Sequence, residues 1–266
     1  MIEAAFVSYG VRVSVRVAAP EWLAAARERF PPGCEAVPGG PSGRVYSLTL
    51  AEAGGRSDAP SEYVLSVEAK ELIRSPRLAE ALDSFESDSR LYIAEMTTQY
   101  TFLHAGAVGW NGQGVIIPGR SWSGKTTLVA ELVKAGATYF SDEYAVLDHE
   151  GRLHPYPKPL SIREGEANAQ INYPIEHFGG RAASGSLPVG LVILSQYSAG
   201  SVWAPTKLST GNGLLAVGDN SISIRRSPQM VLTALGKALS GAEVIQGTRG
   251  EARQVVDYLR QHHPWP

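Results

Sequence analysis

The 266-residue chain contains a single cysteine, Cys34, which excludes an internal disulfide and any zinc site built from several cysteines. It has no surplus of positive charge, since 24 lysines and arginines stand against 26 acids. Nucleic acid is therefore not an expected partner, because such binding rests largely on neutralised phosphates. No apolar run approaches the roughly 18–20 residues that a membrane-spanning helix requires, and Gly, Pro or charge interrupts every candidate. A membrane partner is not expected either. Residues 1–5 lack the basic and apolar regions of a secretory signal, so the cytoplasm is the expected location. Internal repeats and low-complexity tracts are missing too.

The composition that remains is that of an ordinary globular protein, 44% apolar and 19% charged. Val11-Arg12-Val13-Ser14-Val15-Arg16-Val17 alternates apolar and polar residues with the period of a half-buried strand. A short helix from Pro20, strands over 45–50 and 63–67, and one or two helices over 75–96 complete the expectation for the first part. Residues 1–95 are thus expected to form a small α+β domain, and residues 96–266 a second, larger α/β domain.

In the second domain, 100–108 and 114–118 read as strands joined by Asn111-Gly112, the pair that a two-residue hairpin turn demands. The second strand runs into Gly119-Arg120-Ser121-Trp122-Ser123-Gly124-Lys125-Thr126-Thr127. Gly-x-x-x-x-Gly-Lys-Thr is the P-loop pattern. Its glycines let the backbone turn N–H groups toward phosphate oxygens, its lysine reaches the β and γ phosphates, and its threonine hydroxyl meets magnesium. Leu128, Val129, Leu132 and Val133 continue it as a helix, and Gly136 stands at the C-terminal glycine position.

Asp142 and Glu143 follow Lys125 by seventeen and eighteen positions, at the end of a strand over 137–140. A parallel sheet would return them beside the P-loop. Such carboxylates can hold magnesium or take a proton from an attacking hydroxyl; an acidic turn that merely caps the next element is the plainer alternative. His104, inside an apolar strand, reads on its own as a structural residue. Arg163 is a candidate for stabilising a transferring phosphoryl group, or a solvated surface arginine. Trp122 is either a shield over the site or a packed loop anchor. Residues 162–183 show no clean period and suggest a long loop; 189–194 and 221–224 read as buried strands, and 227–240 and 251–262 as helices.

His104-Ala105-Gly106, the P-loop and Ser141-Asp142-Glu143 together resemble the catalytic domain of the HPr kinase/phosphorylase family, over about residues 100–160. The resemblance implies a P-loop kinase domain of the HPr kinase and phosphoenolpyruvate carboxykinase type, with ATP and Mg2+ as cofactors. It also implies an active-site role for His104, a phosphate clamp at Lys125, a metal ligand at Thr126 with Asp142, and a general base at Glu143, where the family has aspartate. The family's arginine- and glycine-rich loop is missing from 169–174, so an acceptor other than HPr is implied: a hydroxyl, with serine of a peptide or protein foremost. A small-molecule kinase and an ATP-responsive regulator with little turnover stay open, and a homo-oligomer is a possible assembly.

Overall fold

The structure, a computed structural model, describes residues 1–40, 43–52, 61–119, 123–164 and 169–263, with the side chains of 163–164 and 169–170 outside the description. It divides into two compact units, Met1–Thr98 and Gln99–Pro266.

The first unit runs β1 (Ile2–Ser8), β2 (Val11–Val17), α1 (Pro20–Arg27), β3 (Cys34–Val37), β4 (Arg44–Glu52), β5 (Ser61–Val67), β6 (Lys70–Ser75) and α2 (Leu78–Met96). The alternating segment is indeed a strand, and its four valines are buried. The sheet has the order β3-β1-β2-β4-β5-β6, with β2 and β4 parallel. Within 75–96 there is one helix, α2, which buries Leu82, Phe85 and Ile93 at the spacing of a single apolar stripe. Phe85 meets Tyr46 edge to face at 5.0 Å, and the Tyr46 hydroxyl donates to Asp88 across 2.6 Å.

The second unit begins with β7 (Tyr100–Trp110), β8 (Gln113–Pro118), α3 (Lys125–Lys134), β9 (Thr138–Ser141), β10 (Tyr144–Asp148) and β11 (Arg152–His154). It continues with β12 (Leu160–Glu164), β13 (Ala169–Tyr173), a 3-10 turn over Ile175–Phe178, β14 (Leu187–Tyr197) and β15 (Thr206–Lys207). The helices α4 (Thr210–Gly218) and α5 (Pro228–Leu239), the strand β16 (Glu243–Arg249) and the helix α6 (Ala252–His262) close it. Asn111 and Gly112 carry φ of 51° and 72°, the left-handed pair that the tight β7–β8 turn needs.

The main sheet has the order β11-β10-β7-β8-β14-β16-β15, and β8, β14 and β16 are parallel neighbours. Pleating sends successive β8 side chains to opposite faces. Val115 and Ile117 join Leu128, Val129 and Leu132 of α3 and Val255 and Leu259 of α6 on one face. Ile116 joins Val217 of α4 and Val231 and Leu235 of α5 on the other. The result is a three-layer α/β unit in which β8 delivers the chain to the N-terminus of α3.

Three expectations need correction. The stretch 162–183 is not a long loop: β12 and β13 pair as a hairpin, and the 3-10 turn follows. Their short, irregular elements leave no sustained apolar period to read. Residues 221–224 form no strand, only a single bridge between Ser221 and Leu103. The strand that leads to the acidic pair is not a parallel neighbour of β8 either; β9 pairs antiparallel with β7, one strand further out.

Candidate functional site

Gly119 ends β8's excursion and Gly124, at φ 79°, opens α3 without any side-chain cap. The first N–H groups of a helix have no acceptor within it, so this uncapped turn is a ready anion site. A side chain at Gly124 would strike the guanidinium of Arg249, and one at Gly119 would meet Ser123 Oγ at 2.6 Å. Ser123 Oγ is buried and has no hydrogen-bond partner among the described residues. Arg120, Ser121 and Trp122, expected to complete the loop, lie outside the described residues.

Lys125 is the first residue of α3, yet it is buried at its base. Its ammonium donates to Gly119 O at 2.6 Å and stands 3.3 Å from His104 Nε2. Burial pulls the lysine pKa below its ordinary value, against the pull of Asp142 and Glu143. Burial also lowers His104, and the Lys125 cation adds to it, so this imidazole is neutral near pH 7. His104 is placed by backbone bonds on both sides: its N–H donates to Asn220 O, and its carbonyl accepts from Gly119 N–H.

The acidic pair sits in the turn from β9 to β10. Ser141 Oγ accepts from the N–H groups of Glu143 and Tyr144 and so fixes the turn. Asp142 is buried; its Oδ2 accepts from Thr126 Oγ1 and from Ser161 N–H, each at 3.3 Å, and its Oδ1 accepts from the Tyr139 hydroxyl at 3.1 Å. Burial raises its pKa, while the Lys158 cation and the Ser161 N–H oppose that. Glu143 instead pairs with Lys158 at 2.9 Å. The structure thus brings His104, Lys125, Thr126, Asp142 and Glu143 to one end of β7 and β8. Thr127 is exposed on α3 and is not part of that group. The side chain of Arg163 lies outside the described residues.

Thr126 and Asp142 offer two hard oxygen donors side by side at a helix N-terminus, which suits magnesium, an ion that keeps waters and phosphate oxygens as its other ligands. Among the described residues no three His, Cys, Asp or Glu side chains cluster for an all-protein metal site. No helix of the described residues is long and apolar enough to cross a membrane.

Sequence reasoning missed Lys158, Tyr139 and above all Arg249. Arg249 is 2% exposed, donates from Nη2 to Gly124 O at 2.8 Å and from Nη1 to Gly250 O at 3.1 Å, and forms no ion pair among the described residues. Thr248-Arg249-Gly250 carries no pattern, so only burial in the folded chain marks it.

No model of a known family matches the chain, and no curated protein matches it either. Among solved structures it is similar to the HPr(Ser) kinase/phosphatase from Coxiella burnetii, at 17% identity, 61% coverage of this chain, 98% of that chain and a TM-score of 0.36.

Proposed function

We propose that the chain is a magnesium-dependent kinase that transfers the γ-phosphoryl group of ATP to a hydroxyl, with serine of a peptide or protein other than HPr as the acceptor class. The observation that carries the reading is the contact of Thr126 Oγ1 with the buried Asp142 carboxylate at the uncapped start of α3, next to Lys125. A loop that merely turned would have no reason to bury a carboxylate there, since an ionised acid in an apolar setting is costly unless something compensates it.

Phosphoryl transfer asks a protein mostly for positioning and charge neutralisation. Lys125 would exchange its Gly119 carbonyl for phosphate oxygens, and an anion there would offset the burial that lowers its pKa. Neutral His104, 3.3 Å away, holds that lysine without adding a second cation. Thr126 and Asp142 would hold magnesium, which when bound neutralises charge on the phosphate oxygens. Glu143, oriented by Lys158, carries the carboxylate that would take the acceptor hydroxyl's proton.

The test is transfer from γ-labelled ATP, with magnesium, to a serine- and threonine-rich peptide library. Label should reach a hydroxyl with the wild type and be lost in Lys125→Ala and Glu143→Gln. ATP binding that needs Lys125 but no transfer to any acceptor, unaffected by Glu143→Gln, would overturn the kinase reading in favour of a nucleotide-responsive regulator.

A further inference from the structure

Beyond Gly119, on the flank of β8 away from the acidic pair, the C-terminal ends of β8, β14 and β16 border a cavity of about 600 Å3. That volume falls in the range of roughly 300–1,000 Å3 found for small-molecule and cofactor sites, and its place outside the carboxyl ends of parallel strands is where open α/β sheets take ligands. Its polar lining is neutral apart from one acid, with Gln196, Thr206, Asp219, Asn220, Gln246 and Thr248 set among apolar residues such as Leu194 and Ala216. No lysine, arginine, histidine or aromatic ring lines it among the described residues. A phosphate chain would find no cation among those residues. Amide and hydroxyl groups, which both donate and accept, suit the edge of a base and the hydroxyls of a sugar, and a carboxylate is a fitting acceptor for a ribose diol.

The sheet order sets this cavity apart from the acids, while the Asn220 carbonyl on its wall accepts from His104 N–H. Glu143 lies beside β7, where its carbonyl accepts from Ala105 N–H. The cavity lies across β8, toward β14 and β16. With strands about 4.8 Å apart, its centre and the acids are on the order of 10–20 Å from one another, with the turn into α3 between them. Gly119 joins the two regions, since it lines the cavity and its carbonyl holds the Lys125 ammonium at 2.6 Å. We infer that the cavity receives the nucleoside end, sugar and base, of a nucleotide whose phosphates lie on the α3 turn, so that the terminal phosphate points toward Asp142 and Glu143. This inference rests on the phosphate-loop reading above and adds where the non-reacting half of the nucleotide sits.

Two variants fill the cavity from different walls: Ala216→Trp from α4, and Thr206→Tyr from β15, an exposed position where an aromatic residue suits a strand. Titration calorimetry with magnesium would compare ATP with inorganic tripolyphosphate, which has no nucleoside, for the wild type, both variants and Lys125→Ala, with thermal midpoints to verify folding. At least one variant that melts with the wild type should lose ATP affinity tenfold or more while keeping that for tripolyphosphate. Unchanged ATP affinity in both, including the case where only transfer to the acceptor suffers, would overturn the inference and leave the P-loop reading intact. Equal loss of ATP and tripolyphosphate would overturn it as well, because the damage would then be to the phosphate turn. If the wild type bound neither probe in a Lys125-dependent way, the phosphate-loop reading would fall and take the inference with it.

Discussion

The two compact units treat charge in opposite ways. In the first, charges that leave water are matched to partners: Asp88 takes Arg44 at 2.9 Å and the Tyr46 hydroxyl at 2.6 Å, and the buried Arg90 pairs with Glu86 one turn away at 2.6 Å. In the second, Asp142 and Arg249 are buried with no ion pair among the described residues, the acid held by hydroxyl and N–H groups and the arginine by two backbone carbonyls. Unmatched buried charge is unfavourable for folding alone. Both groups lie around the start of α3, where the proposed reading puts a charged ligand, and the first unit shows what the same chain does where that reading puts none.

The largest effects should separate along that line. Phe85→Ala removes a fully buried ring that packs on Tyr46 and should destabilise the first unit by about 3–5 kcal/mol. Lys125→Ala removes a buried cation whose desolvation cost offsets its hydrogen bond to Gly119 O, so its urea midpoint should stay near that of the wild type. Phosphoryl transfer in Lys125→Ala should nonetheless fall by roughly 10²–10³-fold or more, the loss typical of one preorganised charge-stabilising donor. Denaturation and transfer rates measured on both proteins check this. A Lys125→Ala protein as unstable as Phe85→Ala would erase the contrast.

A smaller effect distinguishes two left-handed glycines within the second unit. Gly112→Ala would force φ of 72° on a residue with a Cβ, yet nothing lies within 4 Å of that atom. Its cost should be the backbone strain alone, about 1–2 kcal/mol, with nucleotide affinity unchanged. Gly124→Ala carries the same strain at φ 79° and in addition displaces the Arg249 guanidinium from the turn. Loss of that charge-assisted hydrogen bond should lower ATP affinity by about tenfold on top of the strain. Paired binding and melting curves would show whether Arg249 matters to the ligand or only to the fold.

Much of the second unit is legible in the order of its residues. The Asn111-Gly112 turn, the left-handed Gly124 and the α3 stripe are local patterns, and local chemistry fixes what they form. The acidic pair can be found by its distance from Lys125, although the reason it arrives beside Thr126 is an antiparallel pairing of β9 with β7 rather than a parallel return. Nothing local marks Arg249, which comes from a strand more than a hundred residues beyond Gly124, or Lys158, set among prolines that resemble a plain connection. The same holds for β12 and β13, whose pairing supplies order that neither five-residue segment announces by itself. Long-range partners decide such cases, and a single sequence does not display them.

The smallest effect concerns His104 and the pH dependence of stability. Its folded pKa lies below the ordinary histidine value, through burial first and the Lys125 cation second. As pH falls through the ordinary value of about 6.5, the unfolded chain takes up a proton that the folded chain refuses, and stability drops until the folded pKa is reached. Above pH 6.5 the contribution is complete. His104→Gln should therefore flatten part of the acid-side decline: the difference in urea midpoint between pH 8 and pH 5 should be smaller in the variant than in the wild type. Equal slopes for the two proteins would mean that His104 is protonated as easily in the folded chain as in the unfolded one, and the cation held 3.3 Å from it would then need another explanation.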